Sequence, residues 1–271
     1  MTLKRRRIGM FDSGLGGLTV LRQLRAMLPD AEVIYAADTA RVPYGDRSLR
    51  QVAGFARGII DHLTQFDPSL IAIACGTSCS AFDALGYPAS AVPIVPVVDC
   101  GARAAARVTR NGKIGVIATV ATARSGVFER KIREALPLAF VTSVGAPELV
   151  PLVESGAWET PEADEAVATY CGPFARANCD TVVLGCTHFP LLRASFRRAL
   201  DPGIELVDPA LACARKVAEL LEGGALGDGS LTFLVSGETG PFVSHAALLG
   251  VTATHVRRMD FSDQVKHAEH R

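Results

Sequence analysis

The chain has 271 residues, 49% of them hydrophobic, and its 28 basic and 28 acidic side chains give a formal net charge of zero. This length allows two domains of ordinary size, and the balanced charge gives no reason to expect nucleic acid or an anionic membrane as a partner. No apolar run approaches the roughly 18 residues that span a bilayer, and the apolar run after residues 4–7 is too short for a secretory signal. We therefore expect a cytoplasmic protein.

The seven cysteines argue against a disulfide framework. Their number is odd, they lack CxxC spacing, and several fall in apolar runs or helical patterns. We expect reduced thiols and no bound metal, because a structural zinc site needs paired ligands. Five of the thiols are interpreted as packing residues; these are Cys79, Cys100, Cys171, Cys179 and Cys213.

Predicted strands and helices alternate in the first part of the chain. The strands are expected at residues 7–11, 32–37, 70–74 and 94–98, and the helices at 18–28, 49–66, 78–85 and 101–107. Ser48 is the predicted N-cap of the second helix. Pro93 and Pro96 place the fourth strand at a sheet edge or at a crossing between two lobes.

Two loops at predicted strand ends can present polar groups to a ligand. Residues 12–17 form a glycine-rich turn between a strand and a helix, where backbone N–H groups suit a substrate carboxylate; a turn that only needs glycine is the alternative. In residues 38–46, Pro43 restricts the backbone and Gly45 permits a sharp turn, so Tyr44 is expected to be held rigidly.

The pattern restarts after residue 99. Residues 114–119 mirror residues 8–13 as a strand followed by a hydroxyl-bearing turn. Further strands are predicted at 113–118, 140–144, 181–185, 205–207, 231–235 and 252–256, and further helices at 126–136, 162–177, 191–200, 211–221 and 242–248, with a turn at 119–125 and a helical turn at 147–155. The prediction is an α/β fold of two pseudo-symmetric lobes with mostly parallel sheets, the first lobe being 1–98 plus 209–271 and the second 99–208.

Two cysteines follow short apolar runs at corresponding points of the two lobes. Cys75 ends the run 70–74 and precedes Gly76 and Thr77, and Cys186 ends the run 181–185 and precedes Thr187 and His188. Because the carboxyl ends of parallel strands face the ligand crevice of an open α/β sheet, the two thiols could flank one small molecule. This arrangement indicates acid–base chemistry.

Five separated segments, spread over nearly the whole chain and in the right order, resemble the signature segments of the glutamate racemase family. They are residues 12–17, 43–45, 74–77, 151–154 and 184–192. The resemblance implies two pseudo-symmetric α/β lobes with the active site between them, and cofactor-independent interconversion of L- and D-glutamate, the D form serving peptidoglycan synthesis. Family members often dimerise, so a homodimer is a candidate assembly.

The resemblance also implies roles for individual residues. Cys75 and Cys186 would be the two catalytic thiols, one removing the α-proton and the other delivering a proton to the opposite face. The side chains that would assist them are Asp12, Glu154 and His188. The substrate amino acid would be held by Asp12, Ser13, Tyr44, Gly45, Gly76, Thr77, Thr187 and His188.

One position departs from the family, which usually has asparagine where this chain has Gly76. A lost hydrogen bond to a charged group costs roughly 1.5–3 kcal/mol unless another group, such as Ser78, replaces it. The alternatives left open are a racemase of aspartate, another small amino acid or a hydantoin, and a racemase-like protein that binds without turnover. A cysteine hydrolase is disfavoured, because His188 lies only two residues from Cys186.

Overall fold

A computed structural model describes residues 6–225 and 227–261. Its strands are β1 (Arg7–Asp12), β2 (Glu32–Ala37), β3 (Leu70–Ile73), β4 (Ile94–Pro96), β5 (Lys113–Ala118), β6 (Phe140–Gly145), β7 (Thr181–Leu184), β8 (Glu205–Val207), β9 (Leu231–Val235) and β10 (His255–Arg258). Its helices are α1 (Leu18–Met27), α2 (Leu49–Thr64), α3 (Gly76–Leu85), α4 (Val97–Val108), α5 (Val120–Ser125), α6 (Val127–Ala135), α7 (Leu149–Glu154), α8 (Pro161–Arg176), α9 (Arg193–Ala199), α10 (Pro209–Leu220) and α11 (Thr239–Leu248). No helix in these ranges is long and apolar enough to cross a membrane.

The strands form two parallel sheets with the same internal order. The first sheet runs β10-β9-β2-β1-β3-β4 and the second β6-β5-β7-β8, so β2-β1-β3-β4 of one corresponds to the whole of the other. Ile8 pairs with Val33 and Leu70 in the first sheet, as Ile114 pairs with Val141 and Thr181 in the second. The α/β class with parallel sheets is therefore confirmed, while the lobe boundaries near residues 98 and 208 stay a prediction.

The strands that lead to the two thiols are buried along their whole length. Every residue of β3 and of β7 is buried, as expected for central strands covered by helices on both faces. Burying such a run stabilises the fold by about 1.5–3 kcal/mol for each large apolar side chain. The carboxyl ends of the two strands are thus held by rigid, well-packed elements.

The N-cap predicted for the second helix is confirmed. The Ser48 side chain accepts a hydrogen bond from the Gln51 amide, and the Gln51 side chain accepts one from the Ser48 amide, which completes a capping box. The following helix buries Val52, Ile59 and Leu63 on one face. This face is core.

Some predicted elements were wrong in position or type. The strand predicted at 94–98 ends at Pro96, because Val97 and Val98 pack as the first buried turn of α4, and this packing overrides their β propensity. The turn predicted at 119–125 is the short helix α5, capped by the Thr119 side chain.

Other corrections are shifts of boundary. The helix predicted at 191–200 begins as a 3₁₀ turn at Phe189–Leu192 and continues as α9, because Pro190 lies in its first turn. The last strand, β10, begins three residues and ends two residues later than predicted. The polar tail predicted from Asp263 lies outside the described residues.

Candidate active site

The two thiol segments meet because β3 and β7 occupy equivalent positions in the two sheets. A Cβ atom built on Gly76, beside the first thiol, would lie 3.2 Å from the carbonyl oxygen of Gly185, beside the second. The Thr19 hydroxyl of α1 also lies 3.0 Å from the Thr187 carbonyl oxygen. The carboxyl ends of β3 and β7, which belong to different sheets, therefore lie close together.

A cavity of about 370 Å³ lies between the two thiol segments. This volume is within the usual range of sites for small molecules. All the site residues predicted from the sequence line it: Asp12, Ser13, Tyr44, Gly45, Cys75, Gly76, Thr77, Glu154, Cys186, Thr187 and His188. The sequence prediction that they share one site is thus consistent with the geometry, whereas their individual roles stay predictions.

Cys75 is the N-cap residue of α3. Its sulfur accepts a hydrogen bond from the Ser78 amide at 3.4 Å, and its thiol donates to the Ser13 hydroxyl at 3.7 Å. Burial, and then the charge of Asp12, raise the pKa of Cys75, hydrogen bonds with Ser78 and Ser13 partly offset them, and the resulting pKa is about 12. Cys75 is therefore protonated in the free protein at neutral pH.

Cys186 begins a chain of three polar side chains. Its sulfur lies 3.6 Å from Nδ1 of His188, and Nε2 of His188 lies 3.2 Å from a carboxylate oxygen of Glu154 on α7. Burial alone would lower the pKa of His188, but its hydrogen bonds to Cys186 and Glu154 outweigh burial and raise the pKa to about 10. An imidazolium beside a thiol is an arrangement that favours the thiolate.

We expect Glu154→Gln to lower the pKa of His188 by about one pH unit, because a neutral amide replaces the carboxylate that favours the charged ring. The measurement is a ¹⁵N-detected NMR titration of the histidine rings from pH 6 to 10, with the His188 signal assigned by its loss in His188→Asn. Glu148→Gln is the control, since Glu148 is exposed and accepts a hydrogen bond from Tyr170 instead. An unchanged His188 titration in Glu154→Gln would contradict the assignment of this ion pair.

Asp12 ends β1 and organises the glycine-rich turn. One of its carboxylate oxygens accepts hydrogen bonds from the amides of Gly14 at 3.2 Å and Gly17 at 2.9 Å. Burial raises the pKa of Asp12, although the charge of His188 and these amides partly offset the effect. Two amides of the turn, those of Gly14 and Gly17, are thus already used within the turn, and binding of a substrate carboxylate by this turn stays a prediction.

The glycine at position 16 has a packing role across the cavity. A Cβ atom there would lie 2.3 Å from the Thr187 hydroxyl oxygen and 2.5 Å from Nδ1 of His188. Real Cβ contacts essentially never approach this closely. Only glycine lets the turn pack against the second thiol segment.

Tyr44 lines the cavity from a 3₁₀ turn, as the sequence predicted for its loop. Its hydroxyl donates to the buried carboxylate of Asp38, which also accepts hydrogen bonds from Arg41 and Ser236. Burial, and then the Asp38 charge, raise the pKa of Tyr44 well above its usual value. The Tyr44 ring is therefore held rigidly and stays neutral.

The sequence interpretation missed one wall of the cavity. Thr119 and Thr122 line it from α5, and their hydroxyl oxygens lie 3.0 Å apart. Further lining residues come from loops, from the 3₁₀ turn of Tyr44 and from the starts of α5 and α7, and carry no motif; these are Val42, Asp46, Val120, Ala146, Pro147 and Val150. The internal repeat could have indicated Thr119. Residues 114–119 correspond to residues 8–13, so Thr119 is the counterpart of Ser13.

Ser78 does not replace the missing asparagine side chain. It is fully buried beside Cys75 and does not line the cavity. The space near Gly76 is bounded instead by the Gly185 carbonyl and the Thr122 side chain. Over residues 6–225 and 227–261, no group of three or more His, Cys, Asp or Glu side chains is placed to hold a metal ion.

Fold and site together define a class: an α/β protein with two parallel sheets of repeated order and one buried thiol at the end of a strand in each. A sequence profile of the Asp/Glu/Hydantoin racemase family matches residues 18–217. The chain is 40% identical over 246 residues to a glutamate racemase of Desulforudis audaxviator, covering 87% of this chain and 90% of that one. The chain belongs to the Asp/Glu/Hydantoin racemase family.

Solved structures agree with this placement. A glutamate racemase from Bacillus anthracis superposes with a TM-score of 0.88 at 33% identity, covering 93% of this chain and 97% of that one. A glutamate racemase from Thermus thermophilus in complex with β-chloro-D-alanine gives a TM-score of 0.85 at 38% identity, covering 95% of this chain and 98% of that one. A glutamate racemase from Francisella tularensis in complex with D-glutamate gives a TM-score of 0.86 at 28% identity, again covering 95% of this chain and 98% of that one.

Proposed function

We propose that this protein is a glutamate racemase that interconverts L- and D-glutamate without a cofactor, with Cys75 and Cys186 as its two acid–base groups. The observation that carries the proposal is that the two thiols, one from each lobe, line the same small cavity. Supply of D-glutamate for peptidoglycan, a cytoplasmic location and a homodimeric assembly belong to the same proposal.

Two thiols are needed because racemisation inverts the α-carbon. One thiolate removes the α-proton from one face, and the opposite thiol donates its proton to the other face, so the C–H bond that breaks and the one that forms lie on opposite sides. In the reverse reaction the thiols exchange roles. Each group then needs neighbours that match its proton affinity to this task.

The two thiols have different surroundings. His188 is protonated at neutral pH and lies beside Cys186, where its positive charge stabilises negative charge on the sulfur. Cys75 keeps its proton at neutral pH and is therefore available as a proton donor. We infer that the free protein is poised for the direction in which Cys186 removes the proton and Cys75 delivers one.

The carbanion formed by proton removal must be stabilised by hydrogen-bond donors. The first turn of α3, at Gly76 and Thr77, lines the cavity, and so does Thr119 at the N-terminus of the short helix α5. Amides at a helix N-terminus and hydroxyl groups favour negative charge. They suit the substrate carboxylate, into which the carbanion charge spreads.

The proposed function is tested by following the loss of circular dichroism of single enantiomers with purified protein. A panel of L-glutamate, L-aspartate, L-alanine and L-serine should show turnover with glutamate at least tenfold faster than with the others. Faster turnover of aspartate would overturn the glutamate assignment. Glutamate binding without turnover would support a binding protein instead.

Restoring the family residue in Gly76→Asn should lower KM for glutamate about tenfold, because a hydrogen bond to a charged group is worth roughly 1.5–3 kcal/mol. The new Cβ atom would lie 3.2 Å from the Gly185 carbonyl, so only a small shift is needed. Gly76→Ala is the matched control, since it adds the Cβ atom without the amide. A KM that is unchanged or raised in Gly76→Asn would contradict this role for the missing amide.

A further inference from the structure

Ser78 holds a buried hydroxyl that the reaction described above does not use. It is the third residue of α3, with no exposed surface, and it lies outside the cavity lining. Among the described residues its hydroxyl oxygen has no hydrogen-bond partner. A buried polar group without a partner destabilises the fold, so its presence calls for a function.

The neighbouring Ser80 shows what a structural hydroxyl does in this helix. It is buried to the same degree, and its hydroxyl donates to the Gly76 carbonyl oxygen at 2.9 Å, four residues earlier. Such a bond to the preceding turn is the usual arrangement for a serine inside a helix. Ser78 lies too close to the helix start for this, because the residue four positions earlier, Ala74, precedes the helix.

The Ser78 side chain belongs to the helical turn that Cys75 caps. Cys75 is the N-cap residue and Ser78 the N3 residue, so both lie at the start of the helix. The Ser78 amide already donates to the Cys75 sulfur at 3.4 Å. The Ser78 side chain also lowers the pKa of Cys75, against the larger effect of burial, which raises it.

We propose that Ser78 is a positioning residue for Cys75, whose hydroxyl donates a hydrogen bond to the sulfur once the thiol has lost its proton. When Cys75 acts as the acid, its S–H bond breaks, the proton forms the new C–H bond, and the negative charge stays on sulfur. The Ser78 hydroxyl and amide then both donate to this thiolate. The consequence for catalysis rests on the proposed function, but the effect on the thiol itself does not.

Other groups around Cys75 do not obscure its titration above neutral pH. Asp12 faces it from β1 and Tyr35 from β2, Tyr44 faces it from its 3₁₀ turn, and Cys79 lies one turn along α3. Burial raises the pKa of Tyr35, Tyr44 and Cys79 well above their usual values, so they stay neutral. Burial raises the pKa of Asp12 as well, but Asp12 is present in the parent and in every variant, so its charge affects them all alike.

The test measures the reactivity of Cys75 directly and requires no racemase activity. The parent protein, Ser78→Ala and the control Ser80→Ala are alkylated with iodoacetamide between pH 7.5 and 9.5, and modification of the Cys75 peptide is followed by mass spectrometry. Because the thiolate reacts, loss of the hydroxyl should slow Cys75 alkylation about tenfold in Ser78→Ala at each pH. Ser80→Ala should react within twofold of the parent.

Thermal stability distinguishes this role of Ser78 from a purely structural one. Thermal unfolding of Ser78→Ala should occur at the same or a higher temperature than in the parent, because an unpartnered hydroxyl is removed. Ser78→Thr keeps the hydroxyl and should alkylate within threefold of the parent. Alkylation of Ser78→Ala within twofold of the parent, or slowing in Ser78→Thr as great as in Ser78→Ala, would overturn the proposal.

Two further outcomes distinguish the role proposed for Ser78 from the proposed racemase activity. If the parent racemises glutamate, Ser78→Ala should lower kcat about tenfold, by the same loss of thiolate stabilisation, with KM within twofold. If the parent does not racemise glutamate but Ser78→Ala still slows alkylation, the racemase assignment fails and the role of Ser78 stands.

Discussion

Replacing either thiol by serine should lower glutamate racemisation by at least about 1000-fold in both directions. A serine hydroxyl is a far weaker acid than a thiol, so the variant loses a general acid–base group, which typically contributes 10²–10⁴-fold. The measurement is the initial rate of circular dichroism change with L- and with D-glutamate for Cys75→Ser and Cys186→Ser. Because the equilibrium constant of a racemisation is one, kcat/KM must fall equally in the two directions.

A matched control separates the chemistry from packing. Cys171 is a buried thiol of α8 that donates to the Val167 carbonyl at 3.3 Å and lies outside the cavity lining. Cys171→Ser should therefore retain racemisation within threefold of the parent. If Cys75→Ser or Cys186→Ser kept more than a tenth of the parent rate with unchanged folding, that thiol would not be an acid–base group.

Replacing His188 by asparagine should reduce kcat about 100-fold with little change in KM, at the lower end of the usual contribution of a proton-transfer group. Asparagine keeps a polar side chain near Cys186 but cannot carry the positive charge that His188 holds there. His245→Asn is the control, since His245 lies on α11 and hydrogen-bonds the Pro241 carbonyl. A kcat within threefold of the parent in His188→Asn would show that the imidazole does not assist Cys186.

The same variant should change how stability depends on pH. The folded-state pKa of His188, about 10, exceeds the unfolded value of about 6.5, so its contribution to stability is fully present below pH 6.5 and is lost as pH rises toward 10. The parent should therefore lose more of its thermal stability than His188→Asn between pH 7 and 9.5. Equal losses would mean that the ring is not charged in the folded protein.

Several independent sequence signals pointed to the two thiols that line the cavity. Both Cys75 and Cys186 follow strands that are apolar throughout, and parallel strands buried on both faces must read this way. The repeat of the pattern in two halves placed the thiols at equivalent points, and the strand orders of the two sheets agree with it. Local sequence was sufficient to predict this part of the cavity, because both thiols lie at the ends of strands.

The remainder of the site depends on packing that local sequence does not encode. Val97 and Val98 have a high intrinsic propensity for strands. They nevertheless form a helical turn, because in α4 both side chains pack into the core. The glycine-rich turn looked like an anion site, yet the buried Asp12 carboxylate takes two of its amides. Thr122 was missed because a six-residue helix has too few residues to show periodicity.

The most direct test of the two-thiol account is to follow deuterium in both enantiomers when the parent protein acts on L-glutamate in deuterated buffer. With one base on each face, the proton leaves to one thiol and a deuteron arrives from the other. We therefore predict that the D-glutamate formed in the first few per cent of reaction carries one deuterium at the α-carbon while the remaining L-glutamate stays unlabelled. Deuterium appearing in the L-glutamate pool as fast as in the product, or D-glutamate formed with its original proton, would contradict the account.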